Sequence, residues 1–247
     1  MSAVNVTILG AGDAFASRGL FQAGYVINAN GTRILMEAGP ALLGSMKRSG
    51  IGPGEIDLIL ISHLHGDHFA GLPFLILEYM FETPLRRKLV IAGPRRLEQR
   101  TWALFRTMYP SSDPAKVARK LKFVVLEDGK SVRIGRVRID TIRVPHTERD
   151  ISLAFRVMAG GKSIVFSGDT GWTEELIPFS AAADLFLCEC TYFQSRYDFH
   201  LSYPQIAANR DRFTARRMVL THIGREVIDR KSEVELEMAS DGMTIDV

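Results

Sequence analysis

The 247-residue chain has only two cysteines, Cys188 and Cys190. A disulfide across one intervening residue is strained and rare, so they read as small buried thiols in a strand. Without a disulfide framework there is no sign of secretion. No apolar run approaches membrane-spanning length. Residues 1–10 lack a basic region followed by an apolar stretch, so no signal peptide is expected. Charge of one sign is not in excess either, since 31 Lys and Arg face 28 Asp and Glu, for a net +3. That balance tolerates an anionic substrate without demanding nucleic acid, and Arg86-Arg87-Lys88, Arg95-Arg96 and Arg216-Arg217 read as solvated faces. No repeat, linker or low-complexity segment is visible. The 46% hydrophobic content can support a sizeable core. The expectation is a soluble, cytoplasmic protein with one domain over residues 1–247.

Histidine is also scarce, with six in the chain, yet three fall in Ser62-His63-Leu64-His65-Gly66-Asp67-His68. The preceding run, Ile56 to Ile61, has the length and branching of a buried strand. At a strand end, residues i and i+2 point the same way, so His63 and His65 can converge on one ion. Gly66 lets the backbone turn and aim Asp67 and His68 at a second point. Imidazole nitrogen and carboxylate oxygen suit zinc or a similar borderline ion. This stretch is expected to bind metal.

His63-x-His65-x-Asp67-His68 resembles the HxHxDH signature of the metallo-β-lactamase superfamily. Downstream, Val144-Pro145-His146, Ser167-Gly168-Asp169-Thr170 and Thr221-His222 look like the family's third histidine, bridging aspartate and last histidine. His200, in His200-Leu201-Ser202, matches the extra histidine of the ribonuclease Z-like and phosphodiesterase branches. Together these matches use all six histidines. The resemblance implies an α/β fold, the four-layer αββα metallo-β-lactamase sandwich, whereas periodicity alone supports only a mixed α/β chain. It also implies a ligand set: His63, His65 and His146 for one metal, Asp67, His68 and His222 for the second, and Asp169 bridging both. Zinc is the expected ion, and manganese or iron would use the same ligands. Glu37 stands where the family more often has an aspartate, so its role is open.

Two divalent ions at bridging distance generate hydroxide from a shared water near neutral pH. The reaction class is therefore metal-assisted hydrolysis. Asp67, His200 and Glu189 are the catalytic candidates. His200 could stabilise a phosphoryl oxygen or protonate an alkoxide, and Glu189, eleven residues earlier, could orient it or be a surface carboxylate. In ribonuclease Z a long tRNA-gripping arm separates the third histidine from the bridging aspartate. Here the intervening segment reads as a plain hairpin around Gly160-Gly161. Transfer RNA thus becomes a poor fit, other nucleic acid stays open, and a small cyclic or nucleotide-like phosphodiester is the favoured substrate. The cyclic-phosphate phosphodiesterases of phosphonate degradation look similar in ligand spacing. The alternative is a non-phosphate substrate such as a lactone, thioester, sulfate ester or small xenobiotic. Phe15, Phe21, Tyr192, Phe193, Tyr197 and Phe199 could line an apolar pocket for it, or belong to the core. A third class, a non-catalytic scaffold, sits badly with a full ligand set.

Elsewhere the spacing predicts strands at 4–9, 24–29, 33–37, 88–92, 121–126, 131–134, 137–144, 151–158, 163–166, 185–190, 217–220 and 243–247. Helices are predicted over 40–49, 71–83, 94–108, 174–182, 203–213 and 225–238. The 71–83 helix is apolar nearly all round, which means burial in the core or against a partner. Related enzymes often dimerise through this region, so a homodimer is expected there. Gly10-Ala11-Gly12 lacks the third glycine and the helix of a dinucleotide fingerprint and reads as a turn packed close to the metal site.

Overall fold

The structure is a computed structural model that describes residues 4–147, 151–195 and 197–247. The chain opens with the antiparallel strands β1 (Asn5–Gly10), β2 (Gly24–Ala29) and β3 (Thr32–Met36). Helix α1 (Leu42–Arg48) then leads to β4 (Leu58–Leu60), the short helix α2 (Gly66–Phe69) and helix α3 (Leu72–Phe81). Next come β5 (Leu89–Gly93), α4 (Leu97–Met108), α5 (Ala115–Ala118) and β6 (Leu121–Val125). The second half repeats the plan. Antiparallel β7 (Ser131–Ile134), β8 (Val137–Val144), β9 (Ser152–Ala159) and β10 (Lys162–Phe166) precede α6 (Leu176–Ser180) and β11 (Leu185–Glu189). Helix α7 (Tyr203–Ala208), β12 (Met218–Thr221), α8 (Arg225–Asp229), β13 (Glu237–Met238) and β14 (Thr244–Asp246) finish it.

Two seven-stranded sheets result, in the orders β14-β1-β2-β3-β4-β5-β6 and β13-β12-β11-β10-β9-β8-β7. In each, the first strands pair antiparallel, and the runs β3-β4-β5-β6 and β10-β11-β12-β13 pair parallel, while β14 closes the first sheet antiparallel to β1. Parallel pairing needs crossovers, and the helices supply them on the outer faces. Ile8, Tyr25, Ile27 and Met36 from the first sheet meet Phe155, Phe166, Leu187 and Val219 from the second in the central core. The opposite faces carry Val26, Leu35 and Ile59 against α1, α3 and α4, and Val165, Phe186 and Leu220 against α6, α7 and α8. This is the four-layer αββα sandwich. Cys188 and Cys190 are buried free thiols in its second outer layer.

Two predicted helices break up into other elements before their predicted ends. The 225–238 segment holds α8, a 3-10 turn at Lys231–Glu233, and β13. Its second half alternates Val234, Leu236 and Met238 toward the outer core, a period of two that suits a strand. The 203–213 segment ends as a helix at Ala208 and continues as a 3-10 turn through the charged Arg210–Arg212. The apolar character of α3 is largely absorbed within the chain. Leu72, Leu75, Ile76 and Tyr79 are buried and Phe74 packs edge-on against Tyr109, leaving Phe81 66% exposed. Among the described residues, no helix is long and apolar enough to cross a membrane.

Candidate metal centre

The loops after the C-terminal ends of β4, β8, β10 and β12 converge at one edge of the sandwich. His63, His65, Asp67 and His68 follow β4, with Asp67 and His68 carried on α2. His146 follows β8, Asp169 follows β10, and His222 follows β12. The approach to Asp169 depends on Gly168, whose φ of +61° and whose absent Cβ, which would lie 2.6 Å from the Leu153 carbonyl oxygen, leave room for no other residue. At the other side of the centre, a Cβ on Gly10 would lie 1.9 Å from the Gln22 carbonyl oxygen. The Gly10-Ala11-Gly12 segment is thus a close-packed turn, and the Ala11 carbonyl accepts the amide of Ile223, next to His222.

His63, His65 and His146 present ligand atoms within 4.8 Å of one another, and so do Asp67, His68, Asp169 and His222. Asp169 Oδ2 lies between the groups, 3.1 Å from His68 Nε2, 3.2 Å from His222 Nε2, 3.8 Å from His146 Nε2 and 3.9 Å from His63 Nε2. His222 Nε2 is 3.3 Å and His68 Nε2 3.2 Å from Asp67 Oδ2. All seven expected ligands therefore meet.

The far nitrogens of four rings are held from behind. His68 Nδ1–H donates to Glu37 Oε2 at 3.0 Å, and His146 Nδ1–H to the Phe199 carbonyl at 2.9 Å. His222 Nδ1–H donates to Thr191 Oγ1 at 3.0 Å, and His63 Nδ1 lies 3.0 Å from Ser62 Oγ. Such outer partners hold the proton on the far nitrogen, so that Nε2 can face the centre as a lone pair once any proton it carries has been displaced. Glu37 is fully buried and also accepts the Ser62 amide at 2.8 Å. Its role, open in the sequence, is to orient His68. Both Glu37 (φ +61°) and His222 (φ +50°) sit in the left-handed region, a strained backbone that concentrates at functional sites. Sequence reasoning missed Ser62, Thr191 and the Phe199 carbonyl. A hydroxyl or a backbone oxygen in a loop carries no spacing signal.

The donors fit divalent cations. His63 Nε2 and Asp169 Oδ1 are buried and have no hydrogen-bond partner among the described residues, which is costly unless something else satisfies them. Burial pushes His63, His65 and His146 below the ordinary histidine range, so they are neutral ligands at pH 7. Burial opposes charge on His222 too, but Asp169 and Asp67 outweigh it and raise it to about 9, and the same carboxylates lift His68. Asp67 and Asp169 resist burial because these histidines hold them well below the carboxylate range. The protons kept on His68 and His222 are those that cation binding would release.

His200 and Glu189 stand beside this set. Glu189 is fully buried rather than on the surface. It accepts His200 Nδ1–H at 2.9 Å, the Thr170 amide at 2.6 Å and the Thr191 hydroxyl at 2.8 Å. The ring of His200 lies parallel to that of His222, centroids 5.5 Å apart. Of the aromatic candidates, Tyr192 and Tyr197 gather round His200 at 6.0 and 6.1 Å, and Phe199 packs on Tyr197. Phe193 instead stacks on Tyr203, and Phe21 lies under Arg48. A cavity of about 490 Å³ adjoins His146 and Phe199, lined also by Trp172 and Arg143.

A family model described as Anti-Pycsar protein Apyc1 matches residues 4–242. An uncharacterized protein of Mycobacterium leprae is 28% identical over 226 aligned residues, covering 89% of this chain and 78% of that protein. The metallo-beta-lactamase fold protein YhfI from Bacillus subtilis superposes with a TM-score of 0.80 at 21% identity, covering 98% of this chain and 99% of that one. Human tRNase Z, short form, superposes with a TM-score of 0.77 at 26% identity, covering 98% of each chain.

Proposed function

The chain belongs to the anti-Pycsar Apyc1 family, and from that membership and the ligand geometry we propose that it is a dinuclear metal-dependent hydrolase, a phosphodiesterase of a small cyclic or nucleotide-like phosphodiester. The observation that carries this reading is Asp169, whose Oδ2 lies within 3.9 Å of His63 and His146 on one side and of His68 and His222 on the other, with His200 within 4.8 Å of the ligand atoms of Asp169 and His146. His63, His65 and His146 would hold one ion, Asp67, His68 and His222 the other, and Asp169 both. When bound, two divalent cations supply Lewis acidity at the phosphoryl group and acidify a water in the same centre.

The chain's own residues do the rest. Glu189 holds His200 by Nδ1, so Nε2 is the atom left to face substrate. Burial opposes the imidazolium, but the Glu189 carboxylate outweighs it and raises His200 above the ordinary histidine value. His200 Nε2 can then give its proton to the departing alkoxide oxygen as the P–O bond breaks. The Thr170 amide and Thr191 hydroxyl keep Glu189 from turning away.

The second reading, a carbon or sulfate ester, is favoured by the aromatic rings around His200. Hydrolysis of bis-p-nitrophenyl phosphate beside a p-nitrophenyl ester and a lactone, with zinc- or manganese-loaded protein, separates the two. The phosphodiester should be preferred, and His200→Ala should keep both metals while losing rate on the phosphodiester alone. Preference for the ester, or full phosphodiesterase activity in His200→Ala, would move the enzyme to the second reading.

A further inference from the structure

The loop joining β1 to β2 is far more ordered than a plain connection requires. Asp13, itself buried, accepts the amides of Phe15 and Ser17 at 3.2 and 3.0 Å and the Ser17 hydroxyl at 2.8 Å. Ala16 and Arg18 take left-handed φ values of +50° and +54°, which non-glycine residues keep only where surroundings enforce them. Arg18 makes a two-pronged ion pair with Asp229, Nε to Oδ1 at 2.7 Å and Nη2 to Oδ2 at 2.9 Å. Asp241 accepts the amides of Ala11 and Phe21 at the loop's two ends.

What this braced loop presents is a bare phenyl ring. Phe15 is 82% exposed, although burying such a ring is ordinarily favourable. The loop lies at the rim of the metal centre, because Gly12 bridges to Ile223, the neighbour of His222. Tyr197, 54% exposed, stacks on His200 across the same centre.

We propose that Phe15 is a fixed stacking platform that receives the planar heterocyclic base of a nucleotide whose phosphate lies at the metal centre. This rests on the phosphodiesterase reading for the position of the phosphate, and it makes base-bearing substrates preferred over bare sugar phosphates. Stacking tolerates any base, since every base has a π-face.

The test is binding rather than turnover. Adenosine 5′-monophosphate and ribose 5-phosphate share sugar and phosphate but differ by the base. Their Kd values for the metal-loaded protein are measured by calorimetry. Wild type should hold the nucleotide about tenfold more tightly, equivalent to about 1.4 kcal/mol. Phe15→Ala should erase that difference and leave ribose 5-phosphate unchanged, whereas Phe15→Trp should keep it. No base preference in wild type, an unchanged nucleotide Kd in Phe15→Ala, or equal losses for both ligands would overturn the proposal. A change of oligomeric mass in Phe15→Ala would also overturn it, by making the ring a subunit contact. A protein that shows the base preference but hydrolyses no phosphodiester would refute the proposed function and leave the platform standing.

Discussion

Replacing Glu37 by glutamine changes neither size nor shape, yet it should disable the second metal position. Glu37 Oε1 accepts the Ser62 amide at 2.8 Å and Oε2 accepts His68 Nδ1–H at 3.0 Å, both buried. A glutamine must keep its oxygen on the Ser62 amide, which has no other acceptor there, and so turns its NH₂ toward His68. Two donors then face each other. The relief is for His68 to carry its proton on Nε2, the atom 3.1 Å from Asp169 and 3.2 Å from Asp67, where it blocks ligation. Loss of an outer partner of a ligating histidine costs about 10–100-fold in metal affinity, equivalent to about 1.4–2.7 kcal/mol. Because steric fit is retained, the metal-free melting temperature should move little by comparison. Zinc titration followed by competition with a chromophoric chelator gives the two affinities separately. The weaker site in Glu37→Gln should lose at least about tenfold while the other is nearly unchanged. Glu37→Asp should also weaken it, since a side chain shorter by one methylene cannot span both partners. Two wild-type affinities in Glu37→Gln would show that Glu37 does not set the His68 tautomer, and the orienting role would have to be abandoned.

Asp169→Ala removes the carboxylate that lies within 3.9 Å of histidines of both ligand groups and should lose at least one metal equivalent and nearly all activity, read by elemental analysis beside the ester assay. Glu226 accepts the amides of Phe193, Gln194 and Ser195 as well as the Ser195 hydroxyl; burial works against its charge, but these donors lower it to about 2. Its depressed value means that its stabilisation is present above the ordinary glutamate range and is lost as pH falls toward 2. Glu226→Gln should therefore cost about 1–2 kcal/mol at pH 7, after allowing for solvent screening, and nothing extra near pH 2; equal urea midpoints at pH 7 would contradict this. A homodimer through the 71–83 region, where Phe81 remains 66% exposed, should give twice the single-chain mass in light scattering at micromolar protein, and a single-chain mass removes that proposal.

The metal ligands were legible because chemistry forces them to be rare residues in fixed places. The His63-x-His65-x-Asp67-His68 stretch announces metal ligation by itself, the resemblance it carries adds His146, Asp169 and His222, and these five histidines and two aspartates form the two ligand groups. In 225–238 the spacing predicts one helix, whereas Val234, Leu236 and Met238 follow the two-residue alternation that ends in the edge strand β13. The supports of the site were hidden for a different reason. Ser62, Thr191 and the Phe199 carbonyl act through single hydrogen bonds across the fold, and no spacing rule constrains a residue whose only duty is to be within 3 Å of another element.

Glu37 shows how the hidden part is decided. Seen as sequence, it is a carboxylate one methylene too long for its expected place. In the fold its backbone takes φ +61°, and the side chain reaches both the Ser62 amide and His68 Nδ1. Reach and backbone conformation are thus matched at this position, and only their combination puts the carboxylate behind the ligand. The same holds for Phe15, which as sequence is one of six aromatics that could line an apolar pocket or belong to the core. It becomes informative only when Asp13, Arg18 and two left-handed residues are found holding it in water. Side chains that bind the ion are thus chosen by chemistry and can be read from the spacing within residues 62–68 and from the family motifs they resemble, whereas those that aim the ligands or the substrate are chosen by geometry and emerge only once the chain has folded.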